Sequence, residues 1–421
     1  MKTFLLKLLS RVILSISYLL PIVVRFVMRP FANNRWDRQS CIVVIGTFHN
    51  PNWFHAHVAP LAKAQIGEVV LVTDDVVDSL DNLVYACPPK WLSKVISRAG
   101  AKFVWSVYVG YKYRPDLFMA YHIYPTAPIA VFCGALFNRP VCYQATSGSN
   151  EIEGGGWKAD NRILNALSQP SHFVERLAER LVKHIDLIVV RGEGAKQYFL
   201  EKAKPTGQII IQTGSVIVPS DRASYQERSC DIIYVGQLIE RKRPQWIVDI
   251  ARHLVTQCPK LSINIVGDGE MRQELEALSA EYKLTENLHF LGQRKDVESL
   301  LANAKVFLLT SRWEGVSIAM LEALGSGTVP VVSNVGDLKS AIKQGKTGYL
   351  LDGEAIEFVE PIAKLLSDIE HWNSLSSAGY DWAAQNVARD VVAGKWFRNL
   401  NRVIEQKSGS SYPGGKEASG G

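Results

Sequence analysis

From residue 41 onward, short runs of β-branched and aliphatic residues recur at intervals long enough to hold a helix. They fall at Cys41 to Gly46, Val69 to Thr73, Leu117 to His122, Val141 to Gln144, Ile185 to Val190 and Ile209 to Gln212. Apolar and polar positions do not alternate within these runs. Both faces of each strand are therefore expected to be covered, as in a parallel sheet packed between helices. A polar, turn-rich stretch from Val216 to Cys230, with Pro219, Ser220 and Asp221, reads as a linker. A second series then begins, with strands predicted near Asp231 to Val235, Leu261 to Val266, Asn287 to Leu291, Val306 to Leu309 and Val329 to Val332.

The pattern predicts an α/β protein of two doubly wound parallel-sheet domains of the Rossmann-like kind, at 39–218 and 219–378. A ligand site is expected at the carboxyl ends of the strands, in the cleft between the domains. Tyr380 to Glu405 has helical character, with Trp382, Trp396 and Phe397 as apolar anchors. The segment 379–406 is expected to pack back on the first domain. The tail 407–421, rich in Gly, Ser and Lys, is expected to be disordered.

The segment 1–38 is different in kind. Val12 to Val24 is uncharged, but 13 residues fall short of the roughly 20 that a spanning helix needs. At about 100° per residue, Lys7, Arg11, Tyr18, Arg25 and Arg29 share one side of a helix. Leu5, Leu8, Leu9, Val12, Ile16, Leu19, Leu20 and Val23 occupy much of the rest. This predicts a basic amphipathic helix, kinked at Pro21, lying in the interface of an anionic membrane through residues 1–30. A membrane span and a cleaved signal are the alternatives; no small-x-small cleavage site follows the apolar run.

Charge supports that division. The chain of 421 residues carries a formal +6, and residues 1–38 hold all of it, seven Lys and Arg against Asp37. The balanced remainder argues against a nucleic-acid partner. Six scattered cysteines, at 41, 87, 133, 142, 230 and 258, form no CxxC pair and read as reduced thiols of a cytoplasmic protein.

The most informative stretch is Leu308 to Val332, LLTSRWEGVSIAMLEALGSGTVPVV, a strand, a polar loop and a short helix that Ser317 is placed to cap. Glu322 is the only ionisable residue between Ile318 and Leu324. A carboxylate among so many apolar neighbours needs donors, either a cation of the fold or ligand hydroxyls. Glu314 lies eight residues earlier, in the loop.

Glu314-x7-Glu322, with Gly315 after the first acid, resembles the retaining glycosyltransferases of family 4, which have the GT-B fold. The resemblance continues through Tyr234-Val235-Gly236-Gln237-Leu238 with Lys242, through Val266-Gly267-Asp268-Gly269, and through Phe290-Leu291-Gly292-Gln293-Arg294. It implies that Glu322 binds the donor ribose and Glu314 meets the sugar. It further implies that Lys242, Gly236, Gly267, Gly269, Gly292, Arg294 and the backbone at Gly315, Val316 and Ser317 surround the donor. The family's phosphate-binding Arg is Gln237 here, itself placed with Arg241 at the donor, so either Arg241 or Arg243 substitutes for it or the phosphate site is weaker. A solvated charge run is the competing reading of Glu240 to Arg243.

In the first domain, the resemblance implies a role for His122, at the end of a predicted strand, in positioning the sugar or exchanging a proton. It also matches Gly46-Thr47 to a loop near the donor phosphates. A satisfied core histidine is the other reading of His122. Ser147 to Trp157 reads either as a flexible acceptor lid or as an ordinary surface loop. His49, His55 and His57 lack metal-ligand spacing, and Asp74, Asp75 and Asp78 read as a loop. No metal and no resident cofactor are expected.

The resulting expectation is sugar transfer with retention from a nucleotide diphosphate sugar to a glycan or lipid-linked acceptor at the cytoplasmic face of the membrane. A catalytically silent scaffold of the same fold and a nucleotide-sugar epimerase are the alternatives.

Overall fold

The computed structural model describes residues 2–27, 40–48, 51–157 and 161–408. The chain divides into two compact units. Unit 1 runs to Thr213 and takes back the chain from Val392, and unit 2 spans Gly214–Val391.

Unit 1 holds β1 (Cys41–Ile45), β2 (Glu68–Val72), β3 (Leu83–Tyr85), β4 (Leu117–Tyr121), β5 (Val141–Ala145), β6 (Leu187–Val190) and β7 (Gln208–Ile211). They form one parallel sheet in the order β3-β2-β1-β4-β5-β6-β7. Unit 2 holds β8 (Cys230–Val235), β9 (Ile263–Val266), β10 (Leu288–Gly292), β11 (Ala304–Leu309), β12 (Val329–Ser333) and β13 (Tyr349–Leu351). Its parallel order is β10-β9-β8-β11-β12-β13. Both sheets are doubly wound, and the winding reverses beside the first strand of each. The switch points, where crevices form outside the carboxyl ends of the strands, therefore lie at β1/β4 and at β8/β11.

The strand runs are continuously apolar because each sheet is covered on both faces. In β1, Cys41, Val43 and Ile45 pack toward the helix Thr126–Phe137, whereas Ile42 and Val44 pack on the opposite side with Trp396 and Leu400. The two strands that the pattern does not predict, β3 and β13, have three residues each, are half-buried and sit at sheet edges. Such short edge segments leave almost no periodicity to read.

Three expectations are corrected here. The segment Tyr380 to Glu405 is two helices, Ile369–Asn386 and Arg389–Ser408. The break falls where Val216 N–H donates to Val387 O (2.9 Å) and Arg389 N–H donates to Val216 O (3.2 Å). Trp382 packs in unit 2 while Val392, Trp396, Leu400 and Val403 pack in unit 1, and Phe397 is exposed rather than an anchor. The last helix also includes Lys407 and Ser408; 409–421 lies outside the described residues.

The Val216–Cys230 stretch, second, is more than a solvated linker. Arg228 is buried there and donates to Ala304 O (2.6 Å), Ser326 O (2.7 Å) and Thr328 Oγ1 (3.0 Å), with its guanidinium 5.0 Å from the Trp372 ring. Burial pushes its pKa down to about 10.

Third, the helix Lys2–Val27 packs on the helices Thr126–Phe137 and His172–Val182 through Ser10, Leu14, Tyr18 and Val24. Tyr18, expected with the basic stripe, is buried against the protein, and Pro21 lies inside a continuous helix. The outer face keeps Leu9, Val12, Ile16, Leu19, Leu20 and Val23 exposed. Thr126–Phe137 is apolar all round because the N-terminal helix covers the side that would otherwise meet water. Among the described residues no helix is long and apolar enough to cross a membrane. Arg29 and the rest of 28–38 lie outside the described residues.

Candidate functional site

In unit 2 the strand-end loops are knitted together by backbone bonds that only glycine permits. Gly236 N–H donates to Val266 O (3.0 Å), Gly267 N–H to Gly292 O (2.8 Å) and Leu238 N–H to Asp268 O (3.0 Å). A Cβ at Gly267, whose φ is +134°, would lie 1.9 Å from Gly236 O, and one at Gly269 would lie 2.3 Å from Leu238 O. These glycines act through the backbone, bringing the loops after β8, β9 and β10 together.

The loop after β8 ends in a single 3-10 turn, Glu240–Lys242, and the loop after β11 runs from Thr310 to Ser317. These two loops flank the switch point, and ionic contacts join them. Lys242 Nζ donates to Glu314 Oε1, Ser311 Oγ donates to the same oxygen (2.7 Å), and Arg241 Nη1 lies 3.6 Å from it. Glu314 and Lys242 are mostly buried, with side chains 10% and 12% exposed. Two cations against one carboxylate leave the crevice with a local excess of one positive charge, in surroundings where charge is screened less than in water.

The neighbouring arginines have different tasks. Arg243, at φ +47°, donates to Thr310 O (2.6 Å), Ser311 O (3.0 Å) and Ser333 Oγ (3.1 Å), and stacks 3.6 Å from the Trp246 ring. It locks the β8 loop to the end of β11. Arg241 spends one nitrogen on Trp313 O (3.1 Å) and stays partly exposed beside Glu314. Of the two candidates to replace the missing arginine at Gln237, Arg241 is the one with a guanidinium open to a ligand. Gln237 itself is exposed, its carbonyl held by the Tyr234 hydroxyl (2.9 Å). Arg294 forms a bidentate pair with Asp296 (2.8 and 2.7 Å) beyond β10, at the sheet edge rather than the switch point.

Ser317 caps the helix Ile318–Gly325, its hydroxyl accepting from Met320 N–H (3.3 Å). Gly315 has open space around it, while Gly336 (φ +57°) packs directly on the Glu314 carbonyl. Glu322, on the second turn, is largely buried, and no described residue forms a hydrogen bond or ion pair with its carboxylate. Burial, reinforced by the charge of Glu298, pushes its pKa up to about 7. The fold thus holds an acid whose charge it does not compensate.

Unit 1 has its own cluster at the β1/β4 switch point. His122 follows β4 at φ +70°, stacks on Trp53 (5.6 Å between centroids), and its Nδ1 lies 2.6 Å from Thr146 Oγ1 and 3.5 Å from Glu151 Oε1. Glu151 is buried and also accepts from Thr146 Oγ1 (2.9 Å), Ser147 N–H (2.8 Å), Ile123 N–H (2.6 Å) and the Tyr143 hydroxyl (2.7 Å). Burial works to raise the Glu151 pKa, but the hydrogen bond and charge of His122, with Ser147 and Tyr143, outweigh it and hold the acid ionised. The contacts of His122 with Thr146 and Glu151 both engage Nδ1, and the His122 side chain is 38% exposed.

Neither Thr146 nor Glu151 stands out in the sequence as a partner of His122. The segment Ser147 to Trp157 forms two 3-10 turns, with Glu151 and Ile152 buried beneath them. Lys102 is likewise unexpected: buried, it donates to Gly46 O (3.0 Å), Thr47 Oγ1 (2.5 Å) and Asp74 Oδ2 (3.0 Å), and fixes the loop after β1. Asp74 is thus committed to Lys102, and Asp78 lies 3.0 Å from His55. His57 is buried against Gln144, and burial lowers its pKa well below the usual range. His49 lies outside the described residues, among which no group of three or more His, Cys, Asp or Glu is placed to hold a metal.

Two doubly wound parallel sheets, with a cationic crevice at the switch point of the second, define the class as an α/β protein of two Rossmann-like domains. Comparison narrows this class: residues 221–382 match the family model described as glycosyl transferases group 1, so unit 2 carries a glycosyltransferase group 1 domain. One relative is the UDP-Gal:alpha-D-GlcNAc-diphosphoundecaprenol alpha-1,3-galactosyltransferase of Escherichia coli, 30% identical over 32% of this chain and 36% of its own length. Another is the D-inositol 3-phosphate glycosyltransferase of Corynebacterium urealyticum, 27% identical over 43% of this chain and 46% of its own length. The chain therefore spans less than half the length of these two curated relatives.

Among solved structures, Anabaena HepE in complex with UDP matches with a TM-score of 0.66 at 15% identity, covering 86% of this chain and 99% of that one. The sucrose-phosphate synthase of Thermosynechococcus elongatus matches at 0.68 and 17%, with the same coverage. These likenesses show the GT-B-like fold.

Proposed function

We propose that the protein is a retaining glycosyltransferase that moves a sugar from a nucleotide diphosphate sugar to a glycan or lipid-linked acceptor at the cytoplasmic face of the membrane. The observation that carries this reading is Glu322, a largely buried carboxylate without a partner among the described residues, on the segment that also bears Glu314. Two ribose hydroxyls supply the donors it lacks. HepE forms a complex with UDP and the Escherichia coli relative is named for UDP-Gal, which favours a uridine donor.

In the proposed mechanism the diphosphate lies over the N-terminal turn of the helix Ile318–Gly325, where the first N–H groups have no intrahelical acceptor. Lys242 and Arg241 take up the charge that develops on the leaving phosphate, and no resident metal is called on. Glu314 then turns from its cations to the sugar hydroxyls. His122, oriented by Thr146 and Glu151, presents Nε2 to the transferred sugar or the incoming acceptor. The exposed row Leu9, Val12, Ile16, Leu19, Leu20 and Val23 rests in the acyl boundary of an anionic membrane, which favours a membrane-borne acceptor.

A thermal-shift panel of UDP, GDP, ADP and their sugars tests the donor class. A ligand at 100 times its Kd stabilises the folded state by about 2.7 kcal/mol. If no nucleotide shifts the transition, the donor reading fails. If one binds but is neither hydrolysed nor used for transfer, the silent scaffold replaces it.

A further inference from the structure

Among the described residues, twelve of the twenty large exposed hydrophobic side chains sit on just two helices, Lys2–Val27 and Lys90–Tyr113, six on each. The second of these has no part in the proposed chemistry, apart from buried Lys102. Its exposed apolar residues include Trp91, Val95, Tyr108 and Tyr111, between 47% and 72% exposed. Apolar side chains exposed in such number on one helix point to a surface that meets a partner.

Charge says which partner. From Asn82 to Pro115 there are six Lys and Arg and no Asp or Glu, and of these only Lys102 is buried. Lys94 and Arg98 flank Trp91 and Val95, and Lys112 and Arg114 flank Tyr111. Aromatic rings with an apolar body and a polar edge, interleaved with cations and free of acids, suit the headgroup region of an anionic bilayer. Helical angles are interrupted at Ile96 and Ser97, where φ reaches −121° and +72°, so two short pieces meet the surface at different angles.

The fold brings the two helices to one side. Both pack on Thr126–Phe137, and the residues of all three belong to the cluster on one face of the unit 1 sheet. We propose that Lys90–Tyr113 is a second membrane-docking element, which together with Lys2–Val27 seats unit 1 on an anionic lipid surface by two helices rather than one. Two lines of contact fix an orientation, whereas a single amphipathic helix leaves the domain free to roll about its axis. This inference rests on the membrane-surface reading of the N-terminal helix given above.

The test is cosedimentation of the full chain with phosphatidylcholine vesicles with and without phosphatidylglycerol. Three variants are compared: Trp91→Ser with Val95→Ser, Lys94→Gln with Arg98→Gln, and Val12→Ser with Ile16→Ser. All six of these side chains are exposed, and unchanged thermal melts verify folding. The Lys94/Arg98 variant is expected to bind anionic vesicles less tightly by about fivefold per cation, from about 1 kcal/mol each. The Trp91/Val95 variant should lose binding to both kinds of vesicle by at least about tenfold.

If the wild type binds and only the Val12/Ile16 variant loses affinity, this inference is overturned and the N-terminal reading stands. If the wild type binds no vesicle, both fail together. A wild-type dimer in sedimentation that the Trp91/Val95 variant breaks, without vesicle binding, assigns the face to a second copy of the chain and overturns the lipid assignment.

Discussion

Replacing Glu322 by Gln removes a charge the fold does not compensate while keeping shape and polarity. The pKa rises from its ordinary 4.5 to about 7, chiefly because burial disfavours the carboxylate and secondarily because Glu298 repels it. The folded state therefore holds a proton that the unfolded chain has lost, between about pH 4.5 and pH 7. Stability from this group is fully present below that window and is lost as pH rises through it. A rise of about 2.5 at 1.36 kcal/mol each gives a penalty of about 3 kcal/mol above pH 7, and most of it, about 2.5 kcal/mol, develops between pH 5 and pH 8.

Urea unfolding of the wild type and of Glu322→Gln at pH 5, 6, 7 and 8 isolates that slope. The wild type should weaken relative to the variant by about 2 to 3 kcal/mol across the series, making the variant the more stable protein at pH 8. Nucleotide binding should run the other way. Ribose hydroxyls donate to the ionised acid, so the affinity of the wild type for its nucleotide should rise from pH 6 to pH 8, and the variant should bind more weakly with a flatter profile. Parallel stability curves would refute the uncompensated charge. A variant that binds nucleotide as well as the wild type would remove Glu322 from the donor site.

Four other outcomes follow from the same geometry. Lys242→Met should lower turnover by at least about 100-fold, the usual cost of removing one stabilising cation or donor, with little change in melting temperature. Arg243→Ala should cost about 3 kcal/mol of stability, since three hydrogen bonds and the Trp246 stack are lost together. Arg241→Ala should instead leave stability within about 1 kcal/mol and weaken nucleotide affinity, so equal effects of the two arginines on urea midpoints would contradict their division of labour. Glu151→Gln should reduce kcat while leaving the donor KM near its wild-type value, and Tyr143→Phe, which keeps the contact to His122, should lower stability alone; matched kinetics for the two variants would show that Glu151 does not position His122.

How far the sequence reaches is clearest at individual residues. Glu322 is legible as a carboxylate out of place because its neighbours are apolar at every helical position, and Ser317 is legible as a cap because capping is local. Arg228 is not, because its partners, the carbonyls of Ala304 and Ser326, come from distant loops. Lys102 and Glu151 are hidden for the same reason: each is an ordinary charged residue in the sequence, and its burial is decided by which loops converge on it. The division between Arg241 and Arg243 is also a matter of packing, since it depends on where the end of β11 lies.

The sequence alone determined what local period and composition can encode: two series of doubly covered strands, a basic amphipathic N-terminal helix, and a strand-loop-helix segment with two acids eight residues apart. The tertiary structure decided which side chains meet. It set Lys242 against Glu314 across a switch point, left Glu322 unpartnered among the described residues, turned Tyr18 inward, and packed the helices Lys2–Val27 and Lys90–Tyr113 on the same side of the unit 1 sheet. Helical and strand periods are carried by neighbours a few positions apart, whereas an ion pair or a shared face joins residues tens of positions apart. Only the folded path of the backbone brings such residues within reach of one another.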